Sequence, residues 1–240
     1  MMRGDDVAEL QARLARLGFD CGKVDGIFGS LTATAFERFQ RNCGLVADGV
    51  CGADSVRLLT RLALQTGDGP GIAMLREGEH FRDTELSLDR GRVVVGQFGG
   101  LSAVARIVAK QLRSAGALVV PLDEPDVLTQ AQTANAFEAH VYIGLAAQPD
   151  TAASVTYYAV PSFESVAGKA LAGRLADALA SHRALPHVAV EGRGWSILRE
   201  TRMPAVLCRV GDVRAAVDRA PAFAAAVSDA LSNWIALRTP

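Results

Sequence analysis

Five arginines, Arg193, Arg199, Arg202, Arg209 and Arg214, fall within one short span, interleaved with Glu191, Glu200 and Asp212. A guanidinium fork matches the geometry of a carboxylate or a phosphate. Arg209, Arg199 and Arg202 are therefore candidate ligand-binding residues of an anion pocket. The same alternation of sign also reads as a solvated surface. A second chemical unit occurs twice, as Asp25-Gly26-Ile27-Phe28-Gly29 and Asp48-Gly49-Val50-Cys51-Gly52. In each, the Asp side chain can accept from backbone N–H groups and the Gly can take positive φ, so each marks a tight loop. His182, His187 and Glu191 form the one grouping with some metal-ligand character, although isolated surface histidines are the commoner origin of such a pattern. His80 and His140 stand apart.

Other chemistries find less support. The strand-glycine-helix pattern from Arg92 to Leu101, with Asp123 ending the next apolar run, sketches a dinucleotide site. Its turn, however, reads Gly96-Gln97-Phe98-Gly99-Gly100 rather than Gly-x-Gly-x-x-Gly. No nucleophile elbow, P-loop or His-Glu-x-x-His occurs. Cys21, Cys43, Cys51 and Cys208 make no Cys-x-x-Cys pair. They read as thiols of a reducing compartment, with one bridge among the first three as the alternative.

The elements that must position these residues fall into two groups. Val7, Leu10, Leu14 and Leu17 repeat at helical spacing and stop at Gly18, with Asp6 and Glu9 as an expected capping box. Two further short helices, carrying Phe36 and Phe39 and then Val56, Leu59 and Leu62, follow the two Asp-Gly loops. Gly67-Asp68-Gly69-Pro70-Gly71 opens a linker. From there on, apolar runs at 92–96, 117–122, 141–145, 155–160 and 205–210 alternate with helical stretches at 101–114, 126–139, 162–181 and 221–237. That alternation predicts an α/β fold with a largely parallel sheet between helices. The expected domains are residues 3–66, a linker at 67–90, and residues 91–238.

The chain has 240 residues, half of them hydrophobic, and 25 basic against 26 acidic side chains. A net charge of −1 argues against nucleic acid or an anionic membrane as the main partner. No apolar window reaches membrane-spanning length, and the start, Met1-Met2-Arg3-Gly4-Asp5-Asp6, has no apolar leader region. The expectation is a cytoplasmic protein with no membrane insertion.

The ordered set Leu10-Gln11, Leu14, Gly18, Asp25-Gly26, Phe28-Gly29, Phe39-Gln40, Gly44-Leu45, Asp48-Gly49 and Leu59 resembles the peptidoglycan-binding domain of bacterial wall hydrolases. That resemblance implies a three-helix bundle binding a peptidoglycan fragment or precursor. It makes Asp25, Phe28 and Asp48 candidate ligand residues beside the two loops.

The stretch from Gly192 to Leu207, with Ala134-Asn135 and Tyr157-Tyr158, resembles the zinc-dependent N-acetylmuramoyl-L-alanine amidases, and in particular their actinobacterial CwlM-type branch. That branch is associated with cytoplasmic control of peptidoglycan precursor synthesis. The resemblance implies two His and one Glu on zinc and a further Glu as base. At the four corresponding places this chain has the His-free turn Gln97 to Gly100, Leu101, Ala146 and Arg209. The expectation is therefore a protein without zinc or other cofactor and without catalytic residues. It would be a regulator or scaffold, with the UDP-GlcNAc enolpyruvyl transferase as the partner the resemblance suggests. The alternative is an active zinc amidase cleaving the MurNAc–L-Ala amide bond.

Overall fold

The computed structural model describes residues 2–63, 87–148, 152–160 and 163–236. It divides into two compact units, the first within residues 2–63 and the second within residues 87–236. Most of the linker expected at 67–90, with His80, lies outside the described residues; residues 88–90 form a single 3-10 turn.

The first unit holds α1 (Asp5–Arg16), α2 (Ser30–Asn42) and α3 (Ala53–Ala63). Leu10, Leu14, Ala35, Phe36, Phe39 and Leu59 form its core, with Phe36 stacked on Phe39 and Phe19 edge-on to Phe39. The α1 start corrects the capping-box expectation. Gly4 is the N-cap and no side chain caps the helix; Asp5 and Asp6 lie inside the first turn, where acids favour the helix dipole. The start is held instead by the first Asp-Gly loop, through Gly4 N–H donating to the Gly26 carbonyl at 2.9 Å. Glu9 pairs with Arg13 one turn on.

The second unit runs β1 (Arg92–Phe98), α4 (Ser102–Ser114), β2 (Leu118–Leu122), α5 (Val127–Ala136), β3 (Val141–Ala147) and β4 (Ser154–Val160). It continues through β5 (Phe163–Glu164), α6 (Val166–Ser181), β6 (Ala189–Arg193), α7 (Ser196–Glu200), β7 (Ala205–Val210), α8 (Val213–Asp218) and α9 (Ala220–Ala236). The sheet order is β2-β1-β3-β7-β4-β5, with β6 beside β4. Strands β2, β1, β3 and β7 are mutually parallel, β4 is antiparallel to β7, and β6 is parallel to β4. Consecutive residues of β1, β3 and β7 are buried, as a sheet covered on both faces requires.

Helix α9 packs against both α4 and α6 and buries Phe223, Val227, Leu231 and Trp234. Asp126 and Ser165 cap α5 and α6 through their side chains. Strand β6 and the short helices α7 and α8 were absent from the sequence-based expectation, and β6 bears directly on the site.

Candidate functional site

In the first unit both Asp-Gly loops are built by the same clasp. Gln11 Nε2 donates to Asp25 Oδ1 at 2.9 Å and to the Ile27 carbonyl at 3.1 Å, while Gln11 Oε1 accepts from the Asp25 and Gly26 amides at 3.0 and 2.8 Å. Gln40 Nε2 donates to Asp48 Oδ1 at 2.8 Å and to the Val50 carbonyl at 3.1 Å, and Gln40 Oε1 accepts from the Gly49 amide at 2.9 Å. Gly26 and Gly49 sit at φ 72° and 70°, the left-handed region each turn needs. Asp25 and Asp48 thus use their carboxylates to shape the loops, and each also accepts from the amide two residues on. Phe28 is half-buried against the core. Beside the second loop Val46 and Val50 are 80% and 63% exposed.

In the second unit the four positions singled out by the amidase resemblance gather at the carboxyl ends of parallel strands. Phe98 pairs in register with Ala146, and Ala146 with Arg209, so these three share one face at the ends of β1, β3 and β7. Open α/β sheets place their ligands at such ends. Gln97 is buried, donating to Asp123 and accepting from the Leu101 amide at 2.9 Å. Asp123 also accepts from Ser102 Oγ at 2.7 Å, so the acid of the dinucleotide alternative ties β2 to the start of α4. Gly99, at φ 82°, lets the turn lie against β3, where a Cβ would meet Ala147 at 2.9 Å.

Arg209 is the one charged group of the four. Its side chain is 12% exposed. Nε donates to Gln148 Oε1 at 2.5 Å, and Nη1 reaches Ser154 Oγ at 3.5 Å and Glu191 Oε2 at 3.4 Å. The Trp195 ring lies 5.4 Å from the guanidinium carbon, a cation–π distance. Arg193 holds the same Glu191 oxygen more tightly, from Nη2 at 2.9 Å and Nε at 3.1 Å.

The other two arginine candidates are placed elsewhere. Arg199 is buried and pairs with Glu200 at 2.7 Å, their side chains 7% and 4% exposed. Arg202 is exposed, and its amide donates to Asn135 Oδ1 at 2.9 Å.

Zinc needs several lone-pair donors of the His, Cys, Asp or Glu type. Leu101 and Ala146 offer none, Gln97 is committed to Asp123 and Leu101, and Arg209 brings a fixed positive charge. These residues do not fit a zinc ion. Among the described residues no group of three or more His, Cys, Asp or Glu is placed to hold a metal. His182 instead lies 2.7 Å from Asp229, and His140 Nδ1 accepts from the Arg92 amide at 3.1 Å.

Residues 3–59 match the family model described as "Putative peptidoglycan binding domain". Part of the chain is 48% identical over 58 residues to the spore cortex-lytic enzyme of Bacillus cereus, covering 24% of this chain and 22% of that one. The fold is similar to that of the N-acetylmuramoyl-L-alanine amidase AmiC2 of Nostoc punctiforme, with TM-score 0.50 and 16% identity over 61% of this chain and 97% of that one. The protein thus joins a peptidoglycan-binding domain to an α/β domain with the amidase fold. More particularly, the chain is similar to N-acetylmuramoyl-L-alanine amidase CwlM of Mycobacterium tuberculosis, 32% identical over 264 residues, across 97% of this chain. It spans 64% of that relative's length.

Proposed function

We propose that this protein is a cytoplasmic regulator or scaffold of peptidoglycan precursor synthesis whose amidase-like domain binds without hydrolysing. The observation that carries the reading is Arg209 at the end of β7, in register with Ala146 of β3. An amidase of this fold needs a base and a metal there, and a guanidinium can serve as neither. Similarity to CwlM along nearly the whole chain supports the link to the wall. The peptidoglycan-binding domain supports a muropeptide or precursor as ligand. A precursor-synthesis enzyme, with the enolpyruvyl transferase as first candidate, is the proposed protein partner.

The test is elemental analysis of the purified full chain together with incubation on muropeptide. The expected result is substoichiometric zinc and no released stem peptide. Stoichiometric zinc with stem-peptide release would instead establish the active-amidase alternative.

A further inference from the structure

We propose that Arg209, Arg193 and Glu191 form an exchangeable carboxylate site, in which Glu191 occupies the place of a ligand carboxylate until one arrives. This rests on the reading of the sheet end as a binding rather than a hydrolytic site. Register places the three side chains on one face: Arg209 is opposite Ser154, Ser154 is opposite Ala189, and Glu191 and Arg193 follow at two-residue steps along β6. Two guanidinium groups therefore share one carboxylate oxygen, Glu191 Oε2, and these three side chains together carry a net positive charge of one.

The sharing is unequal. The contacts from Arg193, at 2.9 and 3.1 Å, are those of a well-formed charge-assisted bond. Those from Arg209 Nη1, 3.4 Å to Glu191 and 3.5 Å to Ser154, stand at the long limit of hydrogen bonding. Meanwhile the Arg209 head is held in place independently, by Gln148 at Nε and by the Trp195 ring at its face. A ligand carboxylate can thus take Nη1 of a pre-positioned guanidinium at the normal distance, with the Ser154 hydroxyl as a further donor. Glu191 is not orphaned by the exchange, because Arg193 keeps it.

The residual charge of one favours a monoanion. A dianionic phosphate would face Glu191 at close range without matching compensation. The ligand class is therefore a carboxylate, and the peptidoglycan reading above makes a peptide C-terminus its source.

The experiment titrates the full chain with acetyl-Ala-Ala bearing a free C-terminal carboxylate, with its carboxamide, and with inorganic phosphate. It reads calorimetry and the Arg209 guanidinium NMR signals. Expected results are saturable binding of the free acid, at least a tenfold weaker response to the amide and to phosphate, and loss of about tenfold in affinity in Arg209→Lys. Glu191→Gln, which removes the resident competitor, should tighten binding several-fold. Acid and amide binding alike, or no binding in either the wild type or Glu191→Gln, overturns the site. Phosphate binding more tightly than the peptide overturns the carboxylate assignment. Affinity unchanged in Arg209→Lys removes Arg209 from it. Hydrolysis of muropeptide with zinc, alongside intact Arg209-dependent binding, would instead sink the non-hydrolytic reading while leaving the site standing.

Discussion

Gln11 grips Asp25 from α1 across fourteen residues of sequence, side-chain amide to carboxylate at 2.9 Å, inside the core of the peptidoglycan-binding domain. Because the same Gln also accepts from two backbone amides, it satisfies donors that the tight turn would otherwise leave buried. The Gln40–Asp48 pair repeats the device in a more exposed loop. Gln11→Ala should therefore cost the domain roughly 2–4 kcal/mol, the sum of several buried polar groups left unmet. Gln40→Ala should cost about 1 kcal/mol, since water can replace the lost amide. Denaturant titration followed by amide exchange at Gly26 and Gly49 checks the ordering. Equal losses for the two variants would show that burial does not set the difference.

The second clasp also predicts a pH response. The Val50 amide, and after it the Gln40 side chain, hold the Asp48 carboxyl below its ordinary value. A depressed folded-state pKa means the contribution is present above the unfolded carboxylate value, roughly 3.9, and is lost as pH falls through the lower folded value. The Gly49 amide should therefore gain exchange rate only at strongly acid pH. In Gln40→Leu, carboxyl NMR should show Asp48 titrating closer to the ordinary value. An unchanged Asp48 titration would assign the shift to the Val50 amide alone.

Much of this architecture is visible in the chain itself. The Asp-Gly loops, the leucine and phenylalanine stripes and the apolar strands β1, β3 and β7 all carry strong local patterns. Strand β6 does not. Ala189-Val190-Glu191-Gly192-Arg193 lies at a sheet edge, is largely exposed and has a glycine within it, so neither alternation nor an apolar run marks it. Missing β6 hid the partner of Arg209, because Glu191 reaches the site only through the β4–β6 pairing. Arg199 misled for the opposite reason. Its pattern is that of a surface charge, but α7 turns it inward against Glu200. In β1, however, Gly96 has a signal available in sequence, a glycine directly after three valines within one strand, which marks a close approach.

That close approach is to Gln130 and Tyr142. A Cβ on Gly96 would lie 2.0 Å from Gln130 Oε1 and 2.3 Å from Tyr142 Oη. Tyr142 donates to Gln130 at 2.7 Å, and Gln130 donates onward to the Gln97 carbonyl at 3.1 Å, which ties α5 to the strand end bearing the site. Gly96→Ala should therefore destabilise the α/β domain by roughly 3 kcal/mol or more, as overpacking against a buried polar pair. Tyr142→Phe should cost about 1–2 kcal/mol by leaving the Gln130 oxygen unmet. The double variant Gly96→Ala/Tyr142→Phe should fall short of the sum, since removing the hydroxyl relieves part of the clash. Strict additivity in chemical denaturation would mean the backbone, not this pair, enforces the glycine.

The thiols offer a probe that distinguishes local from global opening. Burial pushes the Cys208 thiol up to about 12, and the residue has no exposed surface. Its thiolate is therefore scarce at pH 8, and reagent cannot reach it without opening of the β3–β7–β4 ladder. Cys51 is exposed, yet partial desolvation and, secondarily, the charge of Asp6 raise its pKa as well. A raised thiol pKa delays labelling to higher pH, so Cys51 should react first but with its midpoint above that of a model thiol. Cys43, half-buried and raised by desolvation, should follow. Mass spectrometry of alkylated peptides across pH 6–10 reads all three positions. Cys208 modified at the same rate as Cys51 in native buffer would mean that the β7 strand end opens readily, and the fixed geometry around Arg209 would fail with it.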